Sequence, residues 1–174
     1  MKKFLAVLLF LFAASCASVI QTDLMEKGTR NPDLTVLVRN PDAYRNNIFI
    51  LGGIVAHTTL TPKGSEIEAL YVPVNSLGYP EEASGSATRY IAVYPKEKGV
   101  LDPLIYRRDS DITIAGTYVG TTKGTVGEME YVFPVFRIVQ IYLGREAWYA
   151  EGYPYPYHPY GYYGPGWWGT YPLD

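Results

Sequence analysis

The chain has 174 residues, of which 48% are hydrophobic and 18% are charged, and its formal net charge is −2. These values fit one globular domain and exclude an acidic disordered chain. No basic run follows the first three residues, so electrostatic binding to nucleic acid is not expected. The single cysteine, Cys16, excludes an internal disulfide framework and a multi-cysteine metal site.

The start of the chain has the pattern of an export signal. Lys2 and Lys3 precede nine uninterrupted apolar residues, 4–12, and small residues lead up to Cys16. The apolar run is shorter than the roughly 20 residues that a membrane-spanning helix needs. Residues 1–15 are therefore predicted to be a removable signal peptide.

Cys16 directly follows the small residues 13–15, and this arrangement resembles the lipobox of bacterial lipoproteins. The resemblance implies that Cys16 is lipidated on its sulfur and becomes the first residue of the mature protein. Ala13 departs from the pattern, which favours Leu there. Ala17, in place of Asp, implies sorting to the outer membrane of a Gram-negative bacterium. The alternative is plain secretion with a free thiol.

The next segments are short and differ in character. Residues 16–30 are polar and mixed, which predicts a lipidated tether between the bilayer and the folded domain. Asp33 is a candidate N-cap for a short helix through Arg39, and Pro41 ends that helix. Residues 48–55 are β-branched and aromatic around a glycine pair, which predicts a strand bent at a barrel corner.

Four further strands are predicted from apolar alternation and from turns rich in Gly and Pro. A short helical turn is predicted between strands 3 and 4, because Pro103 can occupy the first helical position behind Asp102. The predicted segments are strand 66–74, strand 89–94, helical turn 99–106, strand 111–120 and strand 131–143.

Five strands, a bent first strand and a helical link between strands 3 and 4 predict a mainly β fold. The expected architecture is a small OB-like Greek-key barrel over residues 31–147. The alternative is another small barrel or sandwich built from the same strands. A domain of about 120 residues buries roughly two-thirds of its unfolded surface, so no disulfide is needed to stabilise it.

The last segment, residues 148–174, has low complexity. Residues 148–172 contain eleven Tyr or Trp, five Pro and five Gly, so a disordered tail is predicted. Its rings can stack on sugars or settle at a membrane interface. The alternative is an extension that folds back over the barrel or has no specific role. The candidate adhesive residues are Trp148, Tyr153, Tyr155, Tyr157, Trp167 and Trp168.

Candidate catalytic and metal-binding residues are sparse. The two histidines, His57 and His158, are too few for a metal site, which needs three or four convergent ligands. Glu66 and Glu68 share one face of a strand, where paired carboxylates can hydrolyse glycosides, but a solvated strand face explains them without catalysis. No phosphate loop or nucleophile motif occurs in the mature chain. The sequence predicts no enzyme, no metal and no cofactor.

Several segments taken together resemble one protein family. They are the lipobox-like start, residues 37–45, residues 52–55, residues 101–106, residues 114–117 and residues 127–135. Over most of residues 1–147 the chain is similar to the Slp family, starvation-inducible outer-membrane lipoproteins of Gram-negative bacteria. The resemblance implies a lipid-anchored envelope protein with no catalytic activity and no established ligand. It carries over one site residue, Cys16.

Two function classes follow. The first is a non-catalytic outer-membrane lipoprotein with a structural or interaction role linked to starvation or stress. The alternative is a module that recognises a glycan or peptide through its barrel face or aromatic tail. The predicted partners are the membrane, through the lipid, and peptidoglycan, lipopolysaccharide or another envelope protein, but no nucleic acid. The candidate ligand-stacking residues, for which packing in the sheet is the alternative, are Tyr71, Tyr90, Tyr94 and Tyr118.

Overall fold

The computed structural model describes residues 17–82 and 88–144. The predicted signal peptide, Cys16 and the aromatic tail fall outside these ranges. Within them, no helix is long and apolar enough to span a membrane. In chain order the elements are α1 (Thr22–Lys27), β1 (Thr29–Arg30), α2 (Leu34–Arg39), α3 (Pro41–Tyr44), β2 (Ile48–Thr61), β3 (Gly64–Val72), β4 (Arg89–Pro95), a 3-10 helix (Lys96–Lys98), β5 (Asp111–Val126) and β6 (Met129–Leu143).

Five strands close into a barrel in the order β2-β3-β4-β6-β5, with β5 returning to pair with β2. The neighbours are antiparallel except for β4 and β6, which are parallel. This arrangement is a five-stranded Greek-key barrel of the OB type, so the predicted fold class is confirmed. The two-residue strand β1 pairs in parallel with the start of β2.

Strand β2 closes the barrel because it pairs with two partners in turn. Its first half pairs with β5, and its second half, from Gly52 onward, pairs with β3. The Gly52-Gly53 pair lies where the two pairings overlap. A Cβ on Gly52 would stand 2.7 Å from the carbonyl oxygen of Val72, and a Cβ on Gly53 would collide with the Tyr90 hydroxyl. The close approach of neighbouring strands therefore requires glycine at this bend.

The barrel interior is filled by inward side chains from alternating strand positions. Phe136 of β6 is fully buried, and its ring centroid lies 6.0 Å from that of Phe49, 5.8 Å from that of Tyr90 and 5.4 Å from that of Tyr118. Leu34 of α2 packs against the same cluster. One aromatic centre thus joins four strands of the barrel.

The predicted helix at residues 33–39 is confirmed as α2, with Asp33 as its N-cap. The Asp33 Oδ1 atom accepts a hydrogen bond from the Thr35 backbone N–H at 2.9 Å and another from the Thr35 hydroxyl at 2.6 Å. These hydrogen bonds, led by that from the hydroxyl, hold the pKa of Asp33 below its ordinary value. The cap thus favours the ionised carboxylate.

The link between β4 and β5 differs in detail from the prediction. Within residues 99–106 only Asp102–Tyr106 form a turn, in which the Tyr106 N–H donates to the Asp102 carbonyl at 2.9 Å. The regular helix of this link lies earlier, at Lys96–Lys98. Gly99 ends that helix with a φ of +119°. Most side chains disfavour this conformation, so glycine suits the position.

Three barrel strands are longer than predicted. β2 continues to Thr61, β5 continues to Val126, and β6 begins at Met129. The residues added to β5 and β6 form a hairpin arm whose side chains are largely exposed, whereas half of those added to β2 are half-buried. An arm with both faces in solvent has no apolar alternation, so its sequence carries no strand signal.

The prediction of a tether over residues 16–30 is wrong for the part that the structure describes from Ser18 onward. Ile20 and Leu24 are buried in a second apolar cluster with Ile50 and Ala115. Ile50 and Ala115 pair across β2 and β5 and alternate with barrel-core residues, so the cluster lies on the outside of the barrel. Burial of a few apolar side chains decides the position of this segment, although most of its residues are polar.

Candidate functional site

A groove of about 840 Å³ lies on the outer face of the barrel and is centred on β4. The strand register explains it: Glu66 of β3, Val93 of β4 and Arg137 of β6 stand side by side, all at outward positions. In the next row, Ile91 of β4 stands beside Val135 of β6. The groove is lined by Lys63, Glu66, Ile91, Val93, Pro95, Glu97, Lys98, Val119, Thr122, Val135 and Arg137.

The groove combines aliphatic surface with charged groups from turns and strand edges. Its aliphatic surface consists of the side chains of Ile91, Val93, Pro95, Val119 and Val135. The charged groups come from the β2–β3 turn, the 3-10 helix and the outward positions of β3 and β6. Three are cations and two are carboxylates, so the groove is slightly basic in a chain whose formal net charge is −2.

The three cations of the groove differ in how they are held. The Lys98 ammonium donates to the Val139 carbonyl at 2.9 Å and is thereby fixed against β6. Within the described residues, the side chains of Lys63 and Arg137 have no ion pair. These two groups are therefore available to an anionic ligand.

The two carboxylates of the predicted pair have different surroundings. Glu66 and Glu68 do share the outward face of β3, as the spacing predicts. Glu68 is only 12% exposed and forms an ion pair with Arg89, and His57 lies 3.6 Å from its other oxygen. Only Glu66 lines the groove. The two carboxylates therefore do not act as a matched acid and base on one ligand.

The lining of the groove is suited to non-covalent binding. Its lining contains no cysteine, serine or histidine, and its one hydroxyl belongs to Thr122. Across residues 17–82 and 88–144, no group of three or more His, Cys, Asp or Glu side chains is arranged to hold a metal ion. What the groove offers a ligand is apolar contact and charge.

Two of the four candidate stacking tyrosines are core residues, so the prediction of a surface role is wrong for them. Tyr90 and Tyr118 are fully buried, and burial raises the pKa of both. The Tyr118 hydroxyl donates to the Leu37 carbonyl at 2.9 Å, and the Tyr90 hydroxyl lies 3.4 Å from the Gly52 carbonyl. Their rings pack on Phe136, so neither can stack on an external ligand.

Tyr71 and Tyr94, the other two candidates, are half-buried and pack against the barrel core. Burial, followed by the charge of Asp33, raises the pKa of Tyr71. The Tyr94 hydroxyl donates to the Lys98 carbonyl at 3.3 Å. Neither lines the groove, so the structure does not bring the four tyrosines together into one stacking surface. The remaining candidates, Cys16 and the six tail residues, lie outside the described residues.

The groove residues are absent from the sequence-based candidates. Val93 and Arg137 are 44 residues apart in the chain, and their strands pair only because the barrel closes. The available signal is alternation: once Ala92 and Phe136 are assigned to the core, their neighbours must face outward. Which outward positions meet depends on the strand order, which alternation does not reveal.

The comparisons with known proteins agree with the envelope origin of the chain. The description of the matching family is "Outer membrane lipoprotein Slp family", and the match covers residues 13–168. An uncharacterized lipoprotein, YeaY of Escherichia coli K12, is 26% identical over 95% of this chain and 91% of its own length. An uncharacterized protein of Haemophilus influenzae is 31% identical over 49% of this chain and 45% of its own length.

Two solved structures are similar at low scores. A small single-stranded DNA-binding protein from Streptomyces coelicolor has a TM-score of 0.36 at 9% identity, covering 59% of this chain and 97% of that one. A putative aspartyl-tRNA synthetase from Leishmania major Friedlin has a TM-score of 0.40 at 11% identity, covering 81% of this chain and 26% of that one. The fold assignment rests on the strand order instead. By the family match, the chain belongs to the outer membrane lipoprotein Slp family.

Proposed function

We propose that the protein is a non-catalytic interaction protein of the outer membrane, anchored by lipid on Cys16 after removal of residues 1–15. The observation that carries this proposal is the position of Ser18, whose hydroxyl donates to the Leu77 carbonyl of the barrel at 2.9 Å. A lipid on Cys16 would therefore be joined almost directly to a folded domain. Such a domain can present a binding surface at a fixed place on the membrane.

The anchor is tested with the full-length chain in a Gram-negative host. We expect the mass of the purified mature protein to equal that of residues 16–174 plus acyl chains, and we expect it to fractionate with the outer membrane. Cys16→Ser removes the acceptor sulfur and abolishes both results. Ala17→Ser, a substitution of similar size next to the site, is the matched control and retains both. A wild-type mature protein without added lipid mass would contradict the proposal.

We further propose that the groove on β4 binds a short peptide that carries carboxylates. The aliphatic side chains of Ile91, Val93 and Val135 suit small apolar side chains, and Lys63 and Arg137 suit carboxylates. No aromatic ring lines the groove, which favours a peptide over a glycan. The stem peptides of peptidoglycan combine alanines with free carboxylates and lie within reach of an outer-membrane protein on its periplasmic side.

Co-sedimentation tests this binding with an unlipidated chain of residues 17–174. The probes are purified sacculi and sacculi whose stem peptides have been removed by an amidase. We expect binding to intact sacculi only, and a loss of about tenfold in affinity for Arg137→Glu, which replaces attraction with repulsion. Arg108→Glu makes the same change at an exposed position outside the groove and is the control. Equal binding to both preparations, or no binding, would contradict the peptide proposal.

The aromatic tail is proposed as a second adhesive element through Trp148, Tyr153, Tyr155, Tyr157, Trp167 and Trp168. Its composition supports the proposal, since Tyr and Trp have an apolar ring and a polar tip. A chain that ends at Leu143 tests it in the same sedimentation and with outer-membrane vesicles. Unchanged binding would remove the tail from the proposal. The proposed link to starvation is tested by immunoblots of growing and carbon-starved cultures, in which a constant level would contradict it.

A further inference from the structure

Both ends of the described domain meet on one side of the barrel. The Val19 N–H donates to the Leu77 carbonyl at 3.0 Å, which fixes the start of the chain to the loop between β3 and β4. The Gln21 N–H donates to the Gln140 side chain at 2.9 Å, which fixes the same segment to the end of β6. Gln140 lies four residues before Gly144, the last described residue, so the end of the described chain lies near this side of the barrel.

The distance from this place to Cys16 is short. Cys16 lies two residues before Ser18, and an extended chain spans at most about 3.6 Å per residue. The Cys16 Cα is therefore within roughly 7 Å of the Ser18 Cα. If Cys16 carries lipid, as proposed above, the acyl chains leave the protein at this side of the barrel. No segment long enough to hold the barrel away from the bilayer intervenes.

An aromatic pair marks the same side. Tyr79 is 41% exposed, and its ring centroid lies 5.9 Å from that of Tyr142 in an edge-to-face arrangement. The loop that carries Tyr79 is held in place, because the Asn75 side-chain oxygen accepts from the Leu77 N–H at 2.9 Å and from the Tyr79 N–H at 3.1 Å. Tyrosine favours the interface between lipid and water, where its ring is in contact with lipid and its hydroxyl with water.

We infer that this side of the barrel, formed by Ser18–Ile20, the loop of residues 75–80 and the end of β6 from Gln140, lies against the surface of the bilayer. Tyr79 then enters the headgroup region next to the lipid on Cys16. The inference rests on the proposed lipidation of Cys16 and adds a defined orientation to it.

The orientation has a consequence for the groove. The N-terminal segment, residues 18–27, covers part of β2 and β5. These are the two barrel strands that do not pair with β4. The groove is centred on β4, and the β5 residues that it includes, Val119 and Thr122, lie beyond the covered residue Ala115, so the groove turns away from the bilayer. A domain held in this way leaves its groove open to the aqueous compartment.

Quenching by brominated lipids tests the orientation in the full-length lipidated protein. The three native tryptophans, Trp148, Trp167 and Trp168, are changed to Phe, and one Trp reporter is then introduced. Tyr79→Trp places it in the proposed contact face. Met129→Trp is the matched control, because Met129 is 75% exposed at the tip of the β5–β6 hairpin. Since 13 residues separate Thr113, opposite Tyr142, from Val126, opposite Met129, the control lies roughly 40 Å away along the strand.

The vesicles contain phosphatidylethanolamine and phosphatidylglycerol at three to one, with and without bromine on the acyl chains. We expect at least threefold stronger quenching, and emission at shorter wavelength, for Tyr79→Trp than for Met129→Trp. Equal quenching of the two reporters, or stronger quenching at position 129, would overturn the inferred orientation. Mass spectrometry and flotation of the same samples separate this result from a failure of the anchor: a chain without lipid mass contradicts the proposed function, whereas a lipidated, floating chain with equal quenching contradicts the orientation alone.

Discussion

Two sides of one barrel wall carry different outward side chains. On β2 and β5 the outward residues include Ile50 and Ala115, which are fully buried because the N-terminal segment covers them. On β3, β4 and β6 the outward residues include Glu66, Val93 and Arg137, which line an open groove. The interior of the barrel is the same cluster behind both sides. The difference shows that the covering segment, rather than the barrel, decides which outer surface remains available for binding.

Leu24→Ala is expected to have the largest effect on the difference between the two sides. It weakens the packing of residues 18–27 over β2 and β5. Removing the Leu24 side chain from the second cluster should lower the free energy of unfolding by about 3 kcal/mol. Urea denaturation of residues 17–174 measures the change. Lys27→Ala, on the exposed side of the same helix, removes an ion pair of 3.9 Å with Asp23 and should cost less than about 0.5 kcal/mol. Equal stabilities for both variants would mean that residues 18–27 are a tether after all.

Gly64→Ala perturbs the groove side. Gly64, the first residue of β3, pairs with Pro95 of β4 and has a φ of +138°, and a Cβ there would collide with the carbonyl oxygen of the preceding residue, Tyr94. We expect a loss of about 2 kcal/mol from backbone strain and from separation of the two strands. Gly99→Ala is the matched control, since its φ of +119° is similar but its Cβ meets nothing within 4 Å. Thermal unfolding of both variants separates collision from strain, and equal losses would rule out the collision.

Much of the fold could be predicted because it follows from local physics. The glycine pair at residues 52–53 indicates a close approach of strands, and Asp33 indicates a helix start, before any tertiary contact is known. The covering segment could not be predicted in this way. Its apolar residues are few and scattered among polar ones, and they are buried only because β2 and β5 present a complementary outer surface.

The tyrosines show a second limit of the sequence. On β4, Tyr90 and Ala92 alternate with Ile91 and Val93, so both faces of the strand are apolar. Alternation then shows which residues share a face but not which face is inside the barrel. The assignment of Tyr90 and Tyr118 to a binding surface failed for this reason. The groove could not be predicted either, because it combines four strands, β3, β4, β5 and β6, whose order is fixed only by barrel closure.

Tyr118→Phe should have a smaller effect on stability than Leu24→Ala and Gly64→Ala, and it should affect the core that lies behind both sides of the barrel. The substitution keeps the ring but removes the hydrogen bond of 2.9 Å from the hydroxyl to the Leu37 carbonyl, which joins β5 to α2. We expect a loss of about 1.5 kcal/mol, because the carbonyl loses its buried donor. Urea denaturation at pH 7 measures it. An unchanged stability would show that water replaces the hydroxyl and that the helix is held by apolar contacts alone.

Tyr90→Phe should have the smallest effect at pH 7 and a distinct effect at alkaline pH. Its hydroxyl lies 3.4 Å from the Gly52 carbonyl, a long contact, so the loss at neutral pH should be about 0.5 kcal/mol. Burial raises the pKa of Tyr90 well above the ordinary value near 10. The unfolded chain therefore releases the phenolic proton at a lower pH than the folded chain does.

The stabilisation from the protonated Tyr90 is thus complete below pH 10 and is lost as the pH rises above 10, by about 1.4 kcal/mol per pH unit. Tyr90→Phe should remove this contribution to the slope of the unfolding free energy against pH. Relative to the wild type, the variant therefore becomes more stable as the pH increases from 10 to 11. Urea denaturation at pH 8, 10 and 11 measures the slopes, with Tyr79→Phe, the same change at an exposed position, as the control. Tyr90 lies behind the groove, and its hydroxyl approaches the glycine bend of β2. A reduced slope for Tyr90→Phe alone would therefore show that the loss of stability at alkaline pH originates in the barrel interior. Equal slopes for all three proteins would contradict the burial argument.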